Sequence, residues 1–189
     1  MVIQRKFIII GTDDNRTPFF PPEVLEHIRH GKVFSGGVRH KEIVGNLLPD
    51  DAEWISITVP LDNVFSQYEK VFSSNGYGQT DAVPRQIIVF ASGDPLFFGF
   101  ANTVMRKLPS AKIILFPTFN SLQMLAHRIL LPYQEMQTLS LTGRPWDAFD
   151  SALIRGDKLI GVLTDREKTP TTIAARMLEY GYDNYRMTV

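Results

Sequence analysis

Apolar residues in this chain fall into short bursts, separated by longer stretches with helical spacing. Phe7–Ile10, Ile55–Val59, Ile87–Ala91, Lys112–Phe116 and Leu159–Leu163 read as strands. Such compact apolar segments predict strands buried on both faces. Between them, Pro21-Pro22-Glu23 opens a helix with proline in its first turn, running to about His30. Helical spacing also covers Asn63–Ser73, Leu96–Leu108, Ser121–Leu130, Trp146–Ile154 and Thr171–Tyr180. Val33-Phe34 is a short strand broken by Ser35-Gly36-Gly37, and Thr138–Leu141 is a strand leading into Thr142-Gly143-Arg144-Pro145. Ser74–Pro84 is a polar connector, and Tyr185–Val189 has the pattern of a strand beginning. Strands alternating with helices predict an α/β protein with mainly parallel sheets and right-handed crossovers. Pro117-Thr118-Phe119-Asn120-Ser121 breaks the alternation and predicts a junction, giving domains 1–116 and 117–189.

The segment Val89-Phe90-Ala91-Ser92-Gly93-Asp94-Pro95-Leu96-Phe97-Phe98-Gly99 carries the clearest chemistry. A strand stops at a small-residue loop bearing one carboxylate, and a helix is expected after Pro95. This arrangement brings backbone N–H groups and an acid to the carboxyl edge of a sheet, where open α/β folds bind ligands. Gly-Asp-Pro is equally a good turn, so the loop alone does not choose between the two. The first strand ends similarly, in Gly11-Thr12-Asp13-Asp14-Asn15.

Composition narrows the choice. The chain has 189 residues, 44% of them hydrophobic, enough for one large or two small domains with packed cores. Its 20 basic and 20 acidic residues cancel, which argues against a protein that grips nucleic acid by general charge. The absence of cysteine excludes disulfides and thiolate metal sites, and is compatible with a reducing cytoplasm. No segment is long and apolar enough to span a membrane. The histidines do not form the His-x-x-x-His pair of a zinc protease. Asp13, Asp14 and Asp165 fit turns and caps better than a metal cluster, so no metal is expected. Charge is nevertheless uneven. His27–Lys41 holds Arg29, Lys32, Arg39 and Lys41 with His27, His30 and His40, and no acid interrupts it. It reads either as a solvated helix end or as a patch receiving an anionic substrate, since arginine matches carboxylates bidentately.

Five segments in order carry a family resemblance. Ser35-Gly36-Gly37-Val38-Arg39-His40 contains a Gly-Gly-x-Arg-His pattern, and Ala91-Ser92-Gly93-Asp94-Pro95 a cofactor-loop pattern. Pro117–Ser121, Ser140-Leu141-Thr142-Gly143-Arg144, and Leu163-Thr164-Asp165 with Thr169-Pro170 and Ile173-Ala174 complete the set. The chain resembles the tetrapyrrole methylase family, and within it the precorrin-6Y C5-methyltransferase branch of cobalamin biosynthesis. It departs from that pattern in three places. Gly11–Asn15 keeps only the first glycine of Gly-x-Gly-Pro-Gly; Thr118 and Asn120 replace a glycine and a serine of the linker; Thr142 stands where histidine is usual.

The resemblance implies two α/β domains, each a mostly parallel sheet flanked by helices, with S-adenosylmethionine as cofactor and a precorrin polycarboxylate macrocycle as substrate. It implies a homodimer in the cytoplasm, and a second domain that continues past Val189. The chain is accordingly expected to be a fragment with a truncated second domain, fused to or paired with a second, decarboxylating methyltransferase domain. Cofactor contacts are expected from Gly11, Gly93, Asp94, Phe97, Phe98, Ser121, Leu122, Leu163 and Thr164. For Asp94 and Ser121 the alternative is helix capping; for Leu96, Phe97, Phe98 and Leu163 it is core packing. Substrate contacts are expected from Gly36, Gly37, Arg39, His40 and Arg144. Methyl transfer from a sulfonium needs alignment more than acid–base help, so no catalytic side chain is expected beyond positioning by Asp94. The other readings are a different corrinoid position, a non-corrinoid substrate such as an RNA base or a protein residue, and a non-catalytic binding module.

Overall fold

The computed structural model describes residues 5–73 and 86–189. The expected connector Ser74–Pro84 lies outside the described residues. The chain divides into two compact units, Met1–Asn120 and Ser121–Val189.

The strands of the first unit are β1 (Lys6–Thr12), β2 (Val33–Gly36), β3 (Glu53–Ser56), β4 (Gln86–Ser92) and β5 (Lys112–Phe116). They form a five-stranded, wholly parallel sheet in the order β3-β2-β4-β1-β5. The unbroken apolar runs of β1 and β4 follow from their central places. Phe7, Ile9, Ile87, Val89 and Ala91 face one core, while Ile8, Ile10, Ile88 and Phe90 face the other. α3 (Leu61–Ser73) and α4 (Phe100–Lys107) close the first core through Val64, Phe65, Tyr68, Phe72, Ala101 and Val104. α1 (Pro22–Arg29) and α2 (Val38–Val44) close the second through Val24, Ile28 and Val44. The left-going connections (β1 to β2, β2 to β3) therefore lie on one face and the right-going ones (β3 to β4, β4 to β5) on the other, as right-handed crossovers require. The buried polar group at this level is satisfied: Tyr68 Oη lies 2.7 Å from Ser35 Oγ, which donates to the Ile55 carbonyl at 2.8 Å. Burial pushes the Tyr68 phenol well above its ordinary pKa, so it stays neutral.

In the second unit, β6 (Gln137–Ser140) and β7 (Ile160–Leu163) pair in parallel. α5 (Ser121–Arg128), α6 (Asp147–Arg155) and α7 (Pro170–Glu179) complete it. Leu139, Leu141, Phe149, Ala152, Leu153 and Ile173 form its core. α6 ends at Gly156 in the left-handed region (φ 70°), the usual helix stop. α7 begins with Pro170, capped by Thr169 Oγ1, which accepts from the Thr172 N–H at 3.2 Å. Arg176 ties α7 to α6 by a bidentate pair with Asp150, at 2.8 and 2.7 Å.

Several expected elements shift. The helix expected from Leu96 begins only at Phe100, because Asp94-Pro95 and Gly99 turn the chain first. Ser35-Gly36-Gly37, expected to break the strand at Val33-Phe34, instead supplies the end of β2 and the N-cap of α2. The strand expected at Ile55–Val59 begins two residues earlier and ends three earlier, at Glu53–Ser56. Tyr185–Val189 is not a strand; Tyr185 packs on the second core and donates from Oη to the Asp157 carbonyl at 3.0 Å.

Candidate functional site

At the carboxyl edge of the first sheet, the ends of β1, β4 and β5 are locked together. The Gly93 N–H donates to the Thr12 carbonyl at 2.7 Å, and Thr12 Oγ1 donates to the Ala91 carbonyl at 3.1 Å. A Cβ on Gly11 would overlap the Gly93 carbonyl oxygen and stand 2.9 Å from the Thr118 amide nitrogen. Gly11 is thus fixed by close approach of three backbones, which explains why this glycine is present in an otherwise altered first loop. Gly93 has φ +61°, and a Cβ there would lie 3.1 Å from the Cα of Asn120.

Asp94 begins a tight loop. Its Oδ1 accepts from the Leu96 N–H at 2.8 Å, and its carbonyl accepts from the Phe97 N–H at 3.0 Å. The carboxylate therefore builds an Asx turn and does not cap α4, whose N-cap is Gly99. Phe98 stands in the left-handed region at φ +53°, costly for a bulky side chain, yet the residue is 42% exposed. The strain is held by the Ala101 N–H on the Pro95 carbonyl at 3.1 Å and by Asn102 Nδ2 on the Leu96 carbonyl at 2.7 Å. Phe98 is thus a strained, solvent-facing aromatic beside a carboxylate turn. Leu96 and Phe119 (53% exposed) are also uncovered in the loops after β4 and β5. Phe97 is half-buried and meets Phe98 edge-on at 4.9 Å.

The Gly-Gly-x-Arg-His segment meets the same edge from the other side. Gly36 is buried, and a Cβ there would lie 3.0 Å from both His40 Cβ and Trp54 Cζ2. His40, third residue of α2, is 8% exposed. Its Nδ1 accepts from the Gly37 N–H at 3.1 Å, half of a capping box, and its Nε2 lies 3.2 Å from Ser92 Oγ. Burial, aided by the Arg39 charge, lowers the His40 pKa, so the ring is neutral near pH 7. It was expected against the substrate; it brings no charge to a carboxylate. Arg39 is exposed and donates from Nη2 to the Asp13 carbonyl at 2.9 Å. Elsewhere the basic stretch is partly neutralised from outside: Arg29 pairs with Glu26 at 2.6 Å, and Lys32 pairs with Asp51.

The second unit gathers a separate set of the expected residues. Thr142 Oγ1 donates to the Thr164 carbonyl at 3.1 Å, and the Gly143 N–H donates to Asp165 Oδ2 at 2.9 Å. Asp165 Oδ1 also accepts from the N–H groups of Glu167 (2.9 Å) and Lys168 (2.7 Å). These donors hold its carboxyl below the usual range, which identifies a loop staple. Arg144 is exposed in this turn. Leu163 is half-buried, Thr164 and Ser121 are exposed, and Leu122 is buried where a Cβ on Gly161 would reach it at 2.9 Å. Asp13 turns onto Asn15, whose N–H it accepts at 3.0 Å, and no metal-binding group occurs among the described residues.

No protein-family model matches the chain. Solved structures share its architecture. Methyltransferase CobJ superposes with a TM-score of 0.63 at 16% identity, covering 93% of this chain and 75% of that one. Uroporphyrin III C-methyl transferase from Thermus thermophilus gives 0.60 at 17% identity, covering 95% and 78%. Precorrin-6Y methylase from Archaeoglobus fulgidus gives 0.59 at 17% identity, covering 87% and 75%. The chain has the tetrapyrrole methylase fold. In sequence, it is 28% identical over 182 residues to a precorrin-6Y C(5,15)-methyltransferase (decarboxylating) from Sinorhizobium. That match takes in 96% of this chain and 40% of the relative, so the chain spans about two fifths of its length. Within this fold the sheet edge carrying Gly93, Asp94 and His40 lies where β2 and β4, adjacent strands, lead away in opposite directions. Such a switch point is where open α/β sheets form a ligand crevice. Thr12 and Ser92, whose hydrogen bonds to the Ala91 carbonyl and to His40 tie these strand ends, are not among the site residues expected from the sequence.

Proposed function

We propose that the chain is a methyltransferase that moves the methyl group of S-adenosylmethionine to a carbon of a precorrin macrocycle in cobalamin biosynthesis. The observation that carries this reading is the strained loop Gly93–Gly99, set at the switch point of a tetrapyrrole methylase fold. Its groups suit the cofactor. Gly93 and Gly11 permit close backbone approach, Phe98 and Leu96 offer apolar surface to a nucleoside, and Asp94 offers a carboxylate held rigid by its turn. S-adenosylmethionine brings the activated methyl group; the chain orients it and excludes competing geometries, which can lower a barrier by about 7–11 kcal/mol. Arg39 and Arg144 are the cationic groups we assign to substrate carboxylates; Phe97, Ser121, Leu122, Leu163 and Thr164 complete the proposed cofactor set. The length and name of the Sinorhizobium relative support reading this chain as the C5-methylating part of such an activity, paired with a decarboxylating methyltransferase domain. We also infer a homodimer acting in the cytoplasm; among the described residues no helix is long and apolar enough to cross a membrane.

The test is mass-spectrometric detection of a methyl group passed from methyl-labelled S-adenosylmethionine to a precorrin-6Y-type substrate. Asp94→Asn keeps an acceptor for the Leu96 N–H but removes the charge, so it should fold normally and lose turnover. Undiminished turnover in that variant removes Asp94 from the site.

A further inference from the structure

β2 and β4 are neighbours in register, with Ser35 beside Val89, yet the chain leaves them on opposite faces of the sheet. Such a switch point is where a ligand crevice is expected, and a side-chain hydrogen bond joins its two sides, from His40 at the start of α2 to Ser92 at the end of β4. Its direction can be worked out. The Gly37 N–H points into His40 Nδ1, so that nitrogen is the acceptor and carries no proton. A neutral ring must then carry its proton on Nε2, 3.2 Å from Ser92 Oγ. His40 is the donor in that pair, and the serine oxygen is the acceptor. The hydroxyl proton of Ser92 is left over. Ser92 is exposed although it closes a central strand, so that proton is offered at the crevice. Arg39, one residue before His40, is exposed and near enough for its charge to act on the ring.

We propose that Ser92 is a ligand-binding residue, donating its hydroxyl to a carboxylate oxygen of the ligand in this crevice, with His40 as the positioning residue that fixes the donor direction. The chain of donors runs from Gly37 N–H through the imidazole to Ser92 O–H and outward. A carboxylate is the acceptor that suits it, because an anion gains most from a polarised neutral donor beside an arginine. The inference rests on the crevice being the cofactor site. Two sources of carboxylate meet there on that reading: the amino-acid end of the cofactor, and the acidic side chains of the substrate.

Calorimetry separates them. S-adenosylhomocysteine has the amino-acid carboxylate; 5′-methylthioadenosine keeps the nucleoside thioether without it. Ser92→Ala is expected to weaken S-adenosylhomocysteine about tenfold or more and to leave 5′-methylthioadenosine unchanged, if the acceptor is the cofactor. Unchanged S-adenosylhomocysteine affinity with a KM for the precorrin substrate raised about tenfold assigns the acceptor to the substrate. Equal weakening of both nucleosides, or no change in either affinity or KM, overturns the proposal. Nitrogen-15 NMR of the His40 ring gives a readout independent of turnover. A neutral ring protonated at Nε2, with that signal moved by Ser92→Ala, is expected; a ring protonated at Nδ1, or one indifferent to the substitution, overturns the relay. Wild-type protein that binds neither nucleoside would sink the functional reading, and the NMR result would still decide the His40–Ser92 geometry.

Discussion

Gly11→Ala is the sharpest perturbation of the first unit. The added methyl group would overlap the Gly93 carbonyl oxygen, with the Thr118 amide nitrogen at 2.9 Å and the Phe116 carbonyl oxygen at 3.3 Å. All three are backbone atoms on two other segments, so no side chain can rotate away. Overpacking of a core site costs about 1–3 kcal/mol when side chains yield. Here backbone must move, and the cost should reach about 3 kcal/mol or more, a large share of the roughly 5–15 kcal/mol that holds a domain. Gly45→Ala is the matched control: nothing lies within 4 Å of its Cβ, and its backbone is right-handed helical. That change should stabilise by about 0.4–1 kcal/mol through the unfolded chain. Urea denaturation followed by tryptophan fluorescence reads both. The chain has 2 tryptophans, Trp54 in the first unit and Trp146 in the second, so a Trp146→Phe background reports the first unit alone. The midpoint should fall by about 1 M or more for Gly11→Ala and rise slightly for Gly45→Ala. A Gly11→Ala midpoint equal to that of the control would refute the close approach of the three strand ends.

Phe98→Gly should raise stability modestly, by relieving a left-handed φ worth about 1–2 kcal/mol, while weakening S-adenosylhomocysteine binding measured by calorimetry; unchanged affinity would mean the exposed ring has no ligand role. Arg39→Ala should raise the apparent KM for the precorrin substrate by about tenfold or more and spare cofactor affinity, as expected for loss of a charge-assisted hydrogen bond worth roughly 1.5–3 kcal/mol. His40 titrates below its unfolded value of about 6.5, so the folded state binds fewer protons in that window. Its contribution is therefore complete above that pH and is lost as pH falls toward the lower, folded value. Urea midpoints of wild type should drop between pH 7 and 5 more than those of His40→Asn, and parallel curves would contradict the buried neutral ring.

How far the sequence disclosed this fold depended on where each segment sits. β1 and β4 were legible because both their faces are buried, which forces unbroken apolar runs. α2 was not, since its N-cap is Gly37 and its exposed residues Val38, Arg39 and Lys41 leave no apolar stripe. Leu96, Phe97 and Phe98 suggested a helix by spacing, but they belong to a turn whose apolar side chains are partly open to solvent. Tyr185 looked like part of a strand because aromatic and β-branched residues surround it; its role is a tertiary contact with Asp157. At the site, Gly93 and Asp94 stood out by local pattern. Ser92 lies in the same pattern, but its pairing with His40 was not legible, because the two are 52 positions apart and only the β2–β4 pairing brings them together.

On the proposed function, the carboxyl edge of the first sheet receives the cofactor. Backbone amide NMR of the chain, titrated with S-adenosylhomocysteine, tests it directly. The largest shifts should fall on Gly11–Asp13, Gly36–His40 and Ser92–Phe98. Saturating shifts confined to other parts of the chain, or no shifts at millimolar ligand, would contradict it.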